Sequence, residues 1–109
     1  MRLADLPYGH ERYFVLPPDA RLVPLERLRP TKPPSSQPES VAVARARMLD
    51  AAAGRIHRRA PLLVREGADG TFDVLDGNAT YGVALAAGWA DLPVLVEANG
   101  PRDDYDGVR

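Results

Sequence analysis

The stretch that most constrains the fold is residues 71–89, where a strand pattern passes through a Gly turn into a helix pattern. Residues 71–75 alternate in the manner of a short apolar strand. The sequence Asp-Gly-Asn at 76–78 ends that strand, and residues 79–87 predict a helix that closes at Gly88. Such a junction presents free backbone N–H groups at the positive end of the helix dipole. The sequence therefore predicts a cradle for phosphate or another anion at this turn.

Composition limits the classes of protein to which the chain can belong. Its 109 residues suit one domain, and 45% hydrophobic with 27% charged residues is ordinary for a soluble protein. The absence of cysteine excludes disulfides, thiolate catalysis and Cys-based metal sites. There is neither an apolar run of about 20 residues nor a signal-peptide pattern at the start of the sequence. We therefore expect a cytoplasmic protein with no membrane partner.

Pro, Gly and hydrophobic periodicity divide the chain into three segments. Residues 1–20 predict an irregular arm whose aromatic side chains pack on the body, and residues 98–109 predict a flexible acidic tail. Residues 21–97 predict the folded domain. Its elements are expected to be a strand at 21–25, a proline-rich loop at 31–38, a helix from Pro38 to about Ala53 capped by Ser36, a hairpin at 61–75, the helix after the Gly turn, and a strand at 91–96. This order predicts an α+β fold, a small mixed β-sheet with two main helices.

Several short motifs occur in the order and spacing of a known domain. They are Val23-Pro24-Leu25, Leu28-Arg29-Pro30, Pro61-Leu62-Leu63-Val64, Val74-Leu75-Asp76-Gly77-Asn78, Ala84-Leu85, Gly88-Trp89 and Leu92-Pro93-Val94. Together they make about 70% of the chain resemble the ParB/sulfiredoxin-like domain, also called the ParB N-terminal or nuclease-like domain.

The resemblance implies a domain that binds a nucleotide or phosphate. The family includes CTP-dependent DNA clamps, ATP-dependent reductases of oxidised peroxiredoxin, a free-serine kinase, nucleases and toxin-like transferases. ATP or CTP with Mg²⁺ is thus the implied cofactor. After Asp-Gly the family has a His or Glu and then a phosphate-binding Arg, whereas this chain has Ala79 and Thr80. The reactive cysteine of sulfiredoxin is absent as well, so that chemistry is not implied.

The candidate site residues follow from the turn and from the charges around it. The expected phosphate-binding groups are the backbone N–H groups of Gly77, Asn78, Ala79 and Thr80, the arginines Arg55, Arg58 and Arg59, and Lys32 as a cation on the proline-rich loop. Glu26, Glu39 and Asp76 are the best-placed carboxylates, of which Glu26 and Asp76 are the catalytic candidates. A surface ion pair with Arg27 or Arg29 also explains Glu26, and no residue is nominated as a metal ligand. If the protein is an enzyme, phosphoryl transfer or nucleotide hydrolysis is the class that the resemblance implies.

The same residues also allow other interpretations of the turn and of the protein's function. The Asp-Gly-Asn turn is also explained by simple helix capping, and the arginines by a solvated loop. A second hypothesis is a DNA-associated module or nuclease, although a net charge of −1 argues against binding nucleic acid by overall charge. A third is a degenerate, non-catalytic protein-interaction domain, since the family Arg is missing. The sequence predicts neither the ligand nor the oligomeric state.

Overall fold

The structure is a computed structural model that describes residues 6–97. Over this range it contains two α-helices and five β-strands. In chain order these are β1 (Arg21–Pro24), β2 (Leu28–Pro30), α1 (Pro38–Ala52), β3 (Leu62–Glu66), β4 (Phe72–Asp76), α2 (Asn78–Ala87) and β5 (Asp91–Val96). Short 3-10 helices at His10–Arg12, Leu25–Arg27 and Pro34–Ser36 complete the described chain.

The five strands form one mixed sheet in the order β1-β5-β3-β4-β2. The predicted hairpin is present: β3 and β4 pair antiparallel, with Val64 opposite Val74. β5 lies between β3 and β1, parallel to the former and antiparallel to the latter. β2 pairs with β4 in parallel at the other edge. This topology brings the end of β4, and with it the Gly turn, close to the segment that leads into β3.

The core follows from the alternation of apolar side chains along the central strands. Leu62 and Val64 of β3 and Phe72 and Val74 of β4 are all buried, with their neighbours more exposed. This period of two places one face of the sheet against the helices. The core residues of β5 include Leu92, which is fully buried.

The two helices pack closely where α2 lacks a side chain. A Cβ on Gly82 would lie 2.9 Å from Val41 Cγ2, so the glycine allows the close approach of α1.

α1 begins at Pro38 as predicted, but the predicted Ser36 cap is wrong. The Ser36 hydroxyl donates to the carbonyl oxygen of Pro33, and Gln37 occupies the N-cap position without a side-chain cap bond. Local bonding within the proline-rich loop therefore competes successfully for that hydroxyl.

The part of the N-terminal segment that the structure describes packs on the body. Leu6, Tyr13 and Phe14 are buried in the same core as the sheet. Phe14 forms a single parallel β-bridge with Arg59, and the indole N–H of Trp89 donates to the carbonyl oxygen of Leu6 at 3.2 Å. The segment predicted to be an acidic tail lies outside the described residues.

The predicted fold class is confirmed: the protein has an α+β fold with a five-stranded mixed sheet and two helices. None of the helices within residues 6–97 is long and apolar enough to cross a bilayer.

Candidate functional site

The start of α2 is a helix N-terminus that no side chain caps. Gly77 occupies the N-cap position with φ 109° and ψ 18°, in the left-handed region. The first helical hydrogen bond runs from the N–H of Tyr81 to the carbonyl oxygen of Gly77, at 2.9 Å. The N–H groups of residues 78–80 therefore have no acceptor within the helix. These amides lie at the positive end of the helix dipole.

The Asn78 side chain binds the proline-rich loop, which the start of α1 at Pro38 limits to residues 31–37, and leaves its own helix uncapped. Asn78 Oδ1 accepts the backbone N–H groups of Thr31 and Lys32 at 2.9 and 3.3 Å. Asn78 Nδ2 donates to Thr31 Oγ1, which in turn donates to the carbonyl oxygen of Val74. The alternative in which a side chain of the turn caps α2 is therefore wrong.

Three adjoining cavities surround this helix start. One of about 250 Å³ lies between the turn and the segment before β3, and includes Asp76, Gly77 and Thr80 in its wall. A second of about 310 Å³ lies between the turn and the proline-rich loop. A third of about 280 Å³ runs along α1 past Arg47. Arg59 lines all three, so its side chain lies at the centre of the groove that they form.

Arg59 is half-buried, and Asp76 only partly offsets the cost of burying its charge. Burial is the main cause that lowers the pKa of Arg59 from its ordinary value, and the like charge of Arg47 adds to it. Asp76 acts in the opposite direction. Within residues 6–97 the guanidinium makes neither an ion pair nor a side-chain hydrogen bond. An anion in the groove would relieve both the burial and the repulsion.

The Thr80 hydroxyl is a second polar group without a partner in this groove. Thr80 is only 2% exposed and lines two of the three cavities. Within the described chain its hydroxyl makes no hydrogen bond, and it is not among the fully enclosed polar atoms. It therefore opens onto the groove, where it can donate to a ligand oxygen.

Comparisons with known proteins were made by sequence and by structure. No protein-family model matches the chain, and no curated protein matches it in sequence. A C-terminally truncated SbnI from Staphylococcus aureus is similar in structure, with a TM-score of 0.53 and 23% identity over 74% of this chain and 31% of that one. The fold is ParB/sulfiredoxin-like. The resemblance predicted from the sequence motifs is thereby confirmed at the level of the fold.

Two further structures match with lower scores. Sulfiredoxin from Arabidopsis thaliana has a TM-score of 0.46 and 19% identity, over 75% of this chain and 88% of that one. The other structure is the C-terminally truncated chromosome-partitioning protein ParB from Caulobacter crescentus, complexed with CTP-γ-S. Its TM-score is also 0.46, with 18% identity over 76% of this chain and 46% of that one. The chain thus spans about a third of the SbnI structure and less than half of the ParB structure.

The ParB/sulfiredoxin-like fold brings together most of the nominated residues, but three lie elsewhere. Lys32, Asp76 and residues 77–80 all line the groove. Arg55 instead pairs with Asp50 at 2.9 Å, and Arg58 donates to the carbonyl oxygen of Glu11 at 2.8 Å.

Glu26 is the third nominated residue outside the groove. It lies in the 3-10 helix between β1 and β2 and lines a cavity with Gly88, at the opposite end of α2. The ten residues of α2 span about 15 Å at 1.5 Å per residue. The structure therefore separates the two nominated carboxylates, Glu26 and Asp76.

Sequence reasoning missed Arg47 as a groove residue. It lies on α1, three and seven residues after Ala44 and Ser40, so all three share a helix face. The spacing of three residues from Ala44 could have indicated this position. Ala44 is buried, so a residue one turn after it lies at the edge of the helix face that packs on the body. Within the described residues, no three His, Asp or Glu side chains lie close enough to form a metal site.

Proposed function

We propose that the protein binds a nucleotide or a phosphorylated small molecule, with a phosphate at the Asp76–Thr80 turn. The observation that carries the proposal is the half-buried Arg59, which makes no ion pair within the described residues and lies beside an uncapped helix N-terminus. Burial and the like charge of Arg47 disfavour the charged guanidinium more than Asp76 favours it, and an anion in the groove would offset the difference.

Arg59 supplies the cation that the family pattern places in α2. In this chain Thr80 stands where the resemblance implies an Arg. Arg59 reaches the same turn from the segment before β3. A guanidinium makes paired, charge-assisted hydrogen bonds to phosphate wherever its backbone is anchored. The loss of the family Arg is thus compensated by another element of the fold.

The remaining contacts of the phosphate come from three sources. The N–H groups of Asn78, Ala79 and Thr80 point along the helix axis towards it. The Thr80 hydroxyl donates from the groove wall. Lys32, held near the turn through the Asn78 side chain, contributes positive charge from the loop side.

Asp76 is the carboxylate placed to support chemistry on that phosphate. It lines the same cavities as Gly77 and Thr80 and is exposed to solvent. A single carboxylate suffices to help hold Mg²⁺, because this ion takes its other oxygen ligands from phosphates and water. ATP or CTP with Mg²⁺ is therefore the proposed cofactor, and phosphoryl transfer or nucleotide hydrolysis the proposed reaction class.

Calorimetric titration with ATP, CTP and ADP, with and without Mg²⁺, tests the proposal. Arg59→Gln is expected to weaken nucleotide binding by about tenfold or more, since a charged hydrogen bond contributes roughly 1.5–3 kcal/mol. Thr80→Val is expected to weaken binding less, because a neutral bond is lost. Arg58→Gln serves as the matched control, since Arg58 lies outside the groove and is bonded to Glu11.

Two outcomes would contradict the proposal. If the wild-type protein binds none of these nucleotides at millimolar concentration, a nucleotide is ruled out as the ligand. If it also binds no sugar phosphate, the proposed phosphate site is ruled out. Equal losses in Arg59→Gln and Arg58→Gln would favour diffuse attraction by surface charge. In that case salt-dependent DNA retention lost in Arg58→Ala/Arg59→Ala would support the DNA-associated alternative.

A further inference from the structure

The opposite end of α2 holds a cavity that the phosphate site does not use. It has a volume of about 470 Å³, within the range typical of small-molecule sites. The residues that line it are Leu25, Glu26, Tyr81, Leu85, Gly88, Trp89 and Ala90. Its lining therefore includes two aromatic residues, two leucines and one acidic residue.

The Glu26 carboxylate lies outside the ion pairs of the described chain, with Arg27 as its neighbour in sequence. Arg29, a neighbour in sequence, pairs with Asp69 and Asp73 instead. Within residues 6–97 no ion pair involves Glu26, and its side chain is exposed at the mouth of the cavity. Gly88, the C-cap of α2, lines the same cavity as Glu26, so the negative end of the helix dipole lies at this cavity. Both charges favour a cation at this place.

Tyr81 adds a polar group to the residues that line the cavity. The residue is nine-tenths buried, with 9% of its surface exposed, and lines the cavity. Its hydroxyl makes no hydrogen bond within the described chain and is not an enclosed atom. The hydroxyl is therefore accessible and can bond to a molecule in the cavity.

Trp89 forms a rigid part of the wall. It is 6% exposed and lies in ring contact with Tyr8, His10 and Tyr13. Its N–H is already satisfied by the carbonyl oxygen of Leu6. The indole therefore contributes mainly apolar surface to the cavity.

We propose that this cavity binds a small organic ammonium compound, with its cationic group between Glu26 and the aromatic rings of Tyr81 and Trp89. The alkyl part of the compound packs against Leu25 and Leu85, and the Tyr81 hydroxyl bonds to a polar group on it. This site is independent of the phosphate groove. Phosphate and ammonium ligands thus bind at the two ends of the same helix, each at the end whose dipole attracts it.

Trp89 is the single tryptophan of the chain, so its fluorescence reports on this cavity. We expect choline to change the emission saturably in the millimolar range. Its neutral isostere 3,3-dimethylbutan-1-ol, which has the same shape without the charge, is expected to bind several times more weakly. Glu26→Gln is expected to weaken choline binding about three- to fivefold, as removal of one exposed charge partner should.

Three further variants complete the test. Glu66→Gln, an exposed acid on β3, is the matched control and should bind choline like the wild type. Tyr81→Phe should weaken choline more than tetramethylammonium, which has no hydroxyl. Arg59→Gln should leave choline binding unchanged, so failure of the phosphate site and failure of this site are distinguishable. Equal binding of choline and the neutral isostere, no saturable change with choline, or an unchanged Glu26→Gln variant would each overturn the proposal.

Discussion

At the scale of single residues, Gly77 meets two separate demands. Its φ of 109° lies in a region that L side chains rarely adopt, and a Cβ at this position would lie 2.6 Å from Leu62 Cγ. The backbone conformation therefore favours glycine, and so does the close contact with Leu62, which is buried in β3. Together they hold the backbone of the turn close to β3, where the amides of α2 open onto the groove.

Gly77→Ala should therefore destabilise the protein more than a glycine substitution that meets only one demand. Gly70 is the matched control, since its φ is 80° but no atom lies within 4 Å of an added Cβ. We expect Gly77→Ala to lower the free energy of unfolding by about 1–3 kcal/mol more than Gly70→Ala, the usual cost of overpacking a core. Urea denaturation measures both, and equal losses would mean that the Leu62 contact is relieved without cost.

At the scale of elements, the Asn78 side chain connects α2 to the proline-rich loop and, through that loop, to β4. It belongs to α2, binds the loop at Thr31 and Lys32, and through Thr31 reaches the carbonyl of Val74 in β4. The loop and the helix start therefore behave as one unit at the groove. The position of Lys32 depends on this unit.

Asn78→Ala should release the proline-rich loop while leaving α2 in place. We expect faster hydrogen exchange at the Thr31 and Lys32 amides and a loss of about 1–2 kcal/mol in the free energy of unfolding, because these bonds lose their acceptor. Ser36→Ala is the control, since it removes only a bond within the loop. Unchanged exchange at the Thr31 and Lys32 amides in Asn78→Ala would show that the prolines alone order the loop.

At the scale of the whole molecule, one carboxylate fastens the N-terminal segment to the sheet. Asp91 Oδ1, at the start of β5, accepts the Tyr8 hydroxyl at 2.6 Å and lies 2.7 Å from His10 Nε2. Burial raises the pKa of Asp91, but the hydrogen bonds from Tyr8 and His10 outweigh it, and the pKa is lowered overall. The same bond to Asp91 raises the pKa of Tyr8.

Stability should consequently depend on pH through Asp91. Because the pKa of Asp91 is lower in the folded state, its contribution is complete above its unfolded pKa of about 3.9 and is lost as the pH falls through the folded value. Asp91→Asn should therefore be about 2 kcal/mol less stable than the wild type at pH 7, with the difference shrinking in strong acid. Denaturation curves from pH 2 to pH 7, with the exposed Asp19→Asn as control, measure this; a difference that does not change with pH would contradict it.

Much of the fold was predictable because its signals are local. The β3–β4 hairpin, the α2 stop at Gly88 and β5 at residues 91–96 follow from apolar periodicity and from Gly and Pro at the boundaries. The order of these elements also carried the ParB/sulfiredoxin-like resemblance. The Ser36 cap was mispredicted, because a serine has several local acceptors and the sequence does not rank them.

The sequence by itself determined that a Gly turn feeds the start of α2, since both the turn and the helix are encoded by adjacent residues. Only the tertiary structure decided which charged side chains lie beside the start of α2. Arg55, Arg58 and Arg59 look alike in sequence, yet only Arg59 lines the groove, while Glu26 lies at the far end of the helix. The reason is physical: local bonding sets an element, whereas the neighbours of a side chain depend on contacts between residues distant along the chain.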